Sequence, residues 1–174
     1  LAPVSYYGAG KLASEAFICA YSSMNNIRSW MIRFPNVVGE RTTHGVIHDF
    51  INKLKSNPRQ LTILGDGSQK KPYMYVQDLV DAVYFIYRHA EERLNHYNVS
   101  AEDQMTVTEI AKIVCEEMQL PNVEFSYTGG TTGWRGDVPH YQYDLRKIHA
   151  LGWRAGYSSA EAVRKAVRSI LNPC

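Results

Sequence analysis

The 174-residue chain has little of what marks several functional classes. Cysteine is scarce: Cys19, Cys115 and Cys174 are an odd number without paired metal-ligand spacing. Two of them fall inside apolar helical patterns, where a buried thiol is the ordinary explanation, and this usage suits a reducing compartment. Charge of one sign is scarce too. Nineteen Lys and Arg against 17 Asp and Glu leave a formal net charge of +2, too little to mark a nucleic-acid or anionic-membrane binder, so any anion binding has to be local. No apolar run approaches the roughly 18 residues of a membrane-spanning helix, and no secretion-like segment opens the chain. The histidines His44, His48, His89, His96, His140 and His149 show no compact ligand spacing, so no metal is expected. There are no internal repeats and no low-complexity tract. These absences leave a cytoplasmic protein, with no nucleic-acid or membrane partner, as the expectation. An initiator methionine is lacking as well, and helical pattern begins almost at once, which reads as a piece of a longer protein.

What is present alternates between helices and short strands. From Tyr7 to about Ser23, Ala9, Leu12, Ala13, Ala16, Phe17 and Ala20 recur at helical spacing, and the small residues suit close approach to a neighbour. A strand is predicted from about Ser29 to Phe34, ended by Pro35, which cannot donate to a sheet ladder. "HGVIHDFINKLKSNP" reads as a helix stopped by Pro58, Leu61 to Leu64 as a short strand, and "GDGSQ" as a turn. A strand then passes into a helix from about Asp78, where the aspartate reads as a helix cap. His96 to Val99 reads as another short strand. Thr106 with Glu109, and Ser158 with Glu161, have the spacing of capping boxes that open two further amphipathic helices. Between them runs "TGGTTGWRGDVPHY", too long and aperiodic to be anything but a functional or a disordered loop. The class is α/β, with too few strands for a complete doubly wound sheet.

The stretch "SYYGAGKLASE" places Tyr7 and Lys11 four apart. On a helix, such residues share a face. A free phenol has a pKa of about 10 and is a poor base at neutral pH, but a nearby cation favours its deprotonated form. A tyrosine so placed can accept a proton from an alcohol while hydride leaves the same carbon. The spacing alone leaves open a packed aromatic beside a solvated lysine.

With its neighbours the pair has more to say. "PVSYYGAGKLASE", "IRFPNVVGE", "GVIHDFI", "LTILGDGSQKKPYMYVQDLVDAV", "TVTEIAKIV" and "GDVPHYQYDLRKIHALGW" follow in order. Together they resemble the extended short-chain dehydrogenases/reductases, the NAD-dependent sugar-nucleotide epimerase/dehydratase family, from residue 3 to about 171. The resemblance implies the carboxyl-terminal part of a Rossmann-like fold with its smaller substrate-binding region. The amino-terminal glycine-rich βαβ unit and an upstream catalytic Ser/Thr have no counterpart in this sequence. On this division, residues 1–45 end the dinucleotide-binding domain and 46–174 are mainly substrate-binding, with 73–100 returning to the dinucleotide-binding sheet.

Residue by residue, the resemblance implies that Tyr7 is the catalytic base/acid and that Lys11 binds the nicotinamide ribose and supports the tyrosine. Phe34 and Pro35 would line the nicotinamide, and Asn36 would hydrogen-bond the substrate's diphosphate. An amide can do so without adding charge, although Asn36 also reads as a turn cap. Val46 and Ile47 open a helix whose free N–H groups suit a phosphate. Leu61, Thr62 and Ile63 would pack against the nucleotide base. Lys71 stands where the family usually has an arginine gripping the diphosphate; it supplies charge without a two-pronged donor, and "KK" also reads as a solvated surface pair. Asp137 would accept from the nucleotide ribose. Arg135 stands one position later than the family's phosphate-binding arginine, and its long side chain would still reach a phosphate to bind the substrate; Trp134, at the arginine's place, is suited to walling the pocket or stacking on a ring.

The implied activity is NAD-dependent epimerisation of a nucleotide sugar, like that of UDP-glucose 4-epimerase, through a transient keto-sugar. NAD is expected rather than NADP, and a homodimer is expected. The alternatives are a 4,6-dehydratase, a keto-sugar reductase, or a catalytically empty nucleotide-sugar-binding or scaffold protein. The 174 residues by themselves are expected to be inactive.

Overall fold

The structure, a computed structural model, describes residues 2–134 and 136–173. The chain opens with helix α1 (Tyr6–Asn25), started by Ser5, whose hydroxyl accepts from the Gly8 N–H at 3.0 Å, and ended by Asn26 in the left-handed region at φ 52°. An asparagine tolerates that conformation better than most side chains do. Strand β1 (Ser29–Arg33) follows, stopped by Pro35, and β2 (Asn36–Val38) begins immediately after. Helix α2 (Val46–Ser56) leads to β3 (Gln60–Ile63), then to β4 (Lys70–Lys71) and β5 (Tyr73–Tyr75), which runs directly into α3 (Val76–His89). The remaining elements are β6 (Leu94–Asn98), β7 (Met105–Thr106), α4 (Val107–Glu117), β8 (Glu124–Tyr127), α5 (Arg146–Leu151) and α6 (Ser159–Leu171).

Among the described residues the strands pair two by two. β1 runs parallel to β6, β2 to β5 and β3 to β8, while β4 and β7 are antiparallel. Parallel pairs need long crossovers, and helices supply them here. Two cores result. In one, α2, α4 and α6 close over β3 and β5 through Phe50, Leu54, Ile63, Ile110, Val114 and Val163. In the other, Ala82 and Ile86 of α3 pack with Met74, Tyr97 and Val99 beside the β1–β6 pair. Ile148 and Trp153 join this second core, so α5 and the turn after it pack with β6 rather than with α6.

Both capping boxes form: Glu109 accepts from the Thr106 N–H at 2.7 Å, and Glu161 from the Ser158 N–H at 2.8 Å. Two expectations are corrected. Asp78 does not cap α3, whose N-cap position is Tyr75; it lies a turn further in, and its carboxylate accepts from the Tyr157 N–H at 3.1 Å, tying α3 to the segment before α6. On α1 the inward stripe is Ser5, Gly8, Leu12, Glu15, Cys19 and Ser22, a helical series displaced from the alanines, and Ala9, Ala13 and Ala16 are exposed. The reason is polar. Arg33 at the end of β1 donates to Glu15 at 2.7 Å, and Ser22 donates to the Ile27 carbonyl, so these contacts fix the rotation of α1. That rotation leaves Tyr7 facing open space at the end of β1.

Candidate active site

The carboxyl end of β1, the loop from Gly39 to Gly45, the start of α2, the Leu64–Gln69 turn, β4 and the 133–137 loop enclose a cleft of about 840 Å³. Tyr7 stands at its edge, 75 % exposed, and the Lys11 ammonium lies 5.4 Å from the Tyr7 ring centroid. The helical spacing has therefore put both on one side of α1. Lys11 itself does not line the cleft, and it has no carboxylate partner among the described residues.

Phe34, Pro35 and Asn36 line the cleft next to Tyr7. The parallel register of β2 and β5 sets Asn36 beside Tyr73. Burial pushes the Tyr73 phenol well above its ordinary range, opposed by a hydrogen bond with the Asn36 side chain. Burial likewise pushes Tyr141 up to about 12, opposed by a hydrogen bond with the Asn36 backbone. Both hydroxyls stay protonated at neutral pH, so Asn36 has neutral phenols for neighbours. Tyr143, also raised chiefly by burial, donates to the Phe34 carbonyl at 2.9 Å and fixes the backbone next to Asn36.

Val46 and Ile47 line the cleft at the start of α2, whose N-cap, Gly45 at φ 90°, supplies no side-chain cap. The strand β3 behaves differently. Leu61 and Ile63 are 0 % exposed and belong to the core, while Thr62 faces away from the cleft and bonds the Ser126 hydroxyl at 3.0 Å. Period-two alternation permits nothing else in a strand with one buried face. Only the next residue, Leu64, reaches the cleft.

Lys71 is no solvated surface residue. Its side chain is 11 % exposed and its ammonium pairs with the Asp137 carboxylate, which is 2 % exposed. The other Asp137 oxygen accepts from the Gly133 N–H at 3.1 Å, and the Asp137 N–H donates to the Trp134 carbonyl at 3.1 Å. The ammonium also lies 4.9 Å from the Trp134 ring centroid, within cation–π range. One residue along, the Lys70 N–H donates to the Pro139 carbonyl at 2.8 Å. The 133–139 loop is thus stitched to β4, with Trp134 held over the cleft. Arg135 lies outside the described residues.

Two cleft residues escape motif reasoning. Arg41, a cation in the left-handed region at φ 61°, lines the cleft with no carboxylate partner among the described residues. Gln69 lines it too, buried at 2 % exposure. A positively charged residue after "VVGE" and a polar residue after "GDGS" were the available signals, and neither specifies where the side chain goes.

An α/β arrangement of parallel strand pairs crossed by helices, with Tyr7 of α1 at the edge of a cleft beyond the end of β1, is the carboxyl-terminal part of a Rossmann-like fold. The chain belongs to the NAD dependent epimerase/dehydratase family, whose model matches residues 1–100. It is 29 % identical over 170 residues to a dTDP-D-glucose 4,6-dehydratase of Mus musculus, covering 95 % of this chain and 47 % of the relative. It is 28 % identical over 174 residues to a putative UDP-glucose 4-epimerase of Methanocaldococcus jannaschii, covering 98 % and 54 %. Among solved structures, a UDP-galactose 4-epimerase superposes with a TM-score of 0.84 at 36 % identity, covering 95 % of this chain and 53 % of that one. The UDP-glucose 4-epimerase of Thermus thermophilus, solved as a complex with NAD, gives 0.82 at 26 %, covering 99 % and 56 %. The chain spans about half the length of the curated relatives it matches.

Proposed function

We propose that the protein containing this chain is an NAD-dependent nucleotide-sugar epimerase of the UDP-glucose 4-epimerase kind. The observation that carries the reading is the open Tyr7 with Lys11 beside it, at the edge of a cleft that also presents Asn36 and Arg41. The donor set fits the nicotinamide end of NAD: Lys11 would hold ribose hydroxyls, and Phe34 and Pro35 would flank the ring. NAD, when bound, would supply hydride acceptance and return at the sugar carbon.

The chain's own work is binding and proton transfer. Tyr7 takes the proton of the sugar hydroxyl as its carbon becomes a carbonyl, and returns it to the oxygen when the carbon is reduced again. Lys11 offsets the negative charge that Tyr7 carries before it takes the proton and again after it returns it. Asn36 donates to the diphosphate without adding charge, and Arg41 with the uncapped start of α2 supplies the attraction that Lys71, neutralised by Asp137, does not.

The test is conversion by the full-length protein of UDP-glucose deuterated at C4. Appearance of UDP-galactose that keeps the label supports the reading; a 4-keto-6-deoxy product makes the protein a dehydratase, the activity of the mouse relative; and no conversion of any UDP- or dTDP-sugar overturns it.

A further inference from the structure

The β1–β6 pair carries a second polar cluster, on the face turned away from α3. Parallel register sets Met31 beside His96 and Arg33 beside Asn98, and period-two alternation turns these four side chains to one face while Trp30, Ile32 and Tyr97 join the core under α3. Helix α1 lies over that face. Its Glu15 accepts from Arg33 at 2.7 Å, and one turn further on the Cys19 Sγ lies 3.9 Å from the His96 Nε2. Cys19 is half-buried and His96 exposed, so the pair can be reached from solvent. Beside it opens a pocket of about 190 Å³ whose walls include Arg33, His96, Asn98, Asp144 and Lys147. None of its lining residues belongs to the Tyr7 cleft.

A thiol and an imidazole in contact are a nucleophile and its base. The thiolate is the reactive form, and an imidazole that takes the thiol proton stabilises it as an imidazolium. Glu15, whose carboxyl is held below its ordinary value first by the Arg33 hydrogen bond, also feels the charge of His96, so a carboxylate backs the imidazole. A metal is not what this cluster suits: among the described residues no group of three or more His, Cys, Asp or Glu could hold one, and Glu15 is taken by Arg33. The pocket walls carry both signs, the cations Arg33 and Lys147 against the anion Asp144, with the Asn98 amide between neutral and charged groups. That mixture matches a small molecule bearing carboxylates and an ammonium together. Cys115 is the contrast, a buried thiol that burial pushes up and thereby makes inert.

We infer that Cys19 is a site of reversible thiol–disulfide exchange with a small zwitterionic disulfide of the glutathione type, an inference independent of the nucleotide-sugar reading. The Cys19 thiolate attacks one sulfur of the disulfide. That S–S bond breaks as the mixed S–S bond forms, and the departing thiolate takes up the proton that His96 removed, so Cys19 is oxidised as half of the disulfide is reduced. The experiment exposes the full-length protein to glutathione disulfide at pH 7, quenches it in acid, and measures the mixed disulfide on each cysteine-bearing peptide by mass spectrometry. Cys19 is expected to react at least about tenfold faster than Cys115. His96→Phe, which keeps a ring without nitrogens, and His96→Ala, which opens the site, are each expected to slow Cys19 about fivefold. The Cys115 rate in the same digest reports unfolding, because a variant that unfolds exposes that thiol too. Hydroxyethyl disulfide, which has no charges, is expected to react more slowly at Cys19 than glutathione disulfide once each rate is divided by that with free cysteine. Reaction at Cys19 no faster than at Cys115, wild-type rates in both His96 variants, or equal normalised rates for the two disulfides would overturn the inference.

Discussion

Replacing Asp137 by Asn separates the loop clamp from the rest of the cleft. The substitution preserves shape but leaves the Lys71 ammonium, 11 % exposed, facing an amide instead of a carboxylate. If the new amide keeps its oxygen toward the Gly133 N–H, its NH2 group meets the ammonium, donor against donor; if it turns over, Gly133 loses its acceptor. Unit charges about 4 Å apart in an effective dielectric of about 20 attract by about 4 kcal/mol. Breaking a buried pair from one side costs about 3–5 kcal/mol, because a charge stays buried without its partner. Against a typical total stability of about 5–15 kcal/mol that is a third or more. Urea unfolding at neutral pH should therefore show Asp137→Asn about 3–5 kcal/mol below the wild type. Adding Lys71→Met to it should recover most of the loss, since the stranded charge is gone. A single-variant loss under about 1 kcal/mol, the worth of an exposed pair, or a double variant weaker than the single one, would refute the buried clamp.

The remaining predictions concern acid. Hydrogen bonds from Arg33 to Glu15, from Thr106 to Glu109, from Arg168 and Arg164 to Glu117 and from Ser158 to Glu161 hold each of these carboxyls below its ordinary value of 4.5. Groups lowered on folding contribute fully above their unfolded values, and the contribution is lost as pH falls through the lowered native ones. Melting temperature followed by circular dichroism should hold from pH 7 to about 5 and then fall steadily towards about pH 3; a flat profile across that range would contradict these contacts. Glu117→Gln, which removes the carboxylate shared by Arg164 and Arg168, should make the acid limb shallower, and an unchanged limb would show that this ion-pair network contributes nothing.

Local signals in the sequence carried the elements that obey local rules. The two capping boxes, the β1 strand before Pro35 and the tyrosine–lysine face of α1 rest on neighbours within one or two helical turns, and the folded chain contains all of them. β2 and β8 were illegible because three or four residues such as "NVV" and "EFSY" have no period of their own; β8 is a strand because β3, 64 residues away, pairs with it. The same reason hid the duty of Asp78, whose partner Tyr157 is 79 residues on. Lys71 and Asp137 were each legible as ligand contacts, but not as partners of one another across 66 residues. Gln69 was invisible for a further reason: an amide after a glycine turn usually faces water, and nothing local marks this one as buried.

The central claim is that Tyr7 moves the proton while other groups bind the nucleotide sugar. Its most direct measurement is Tyr7→Phe in the full-length protein, with UDP-sugar affinity and epimerisation rate determined side by side. Loss of one positioned acid/base group should lower turnover by about 10²–10⁴-fold with affinity changed by less than about threefold. Turnover near that of the wild type would contradict the assignment outright.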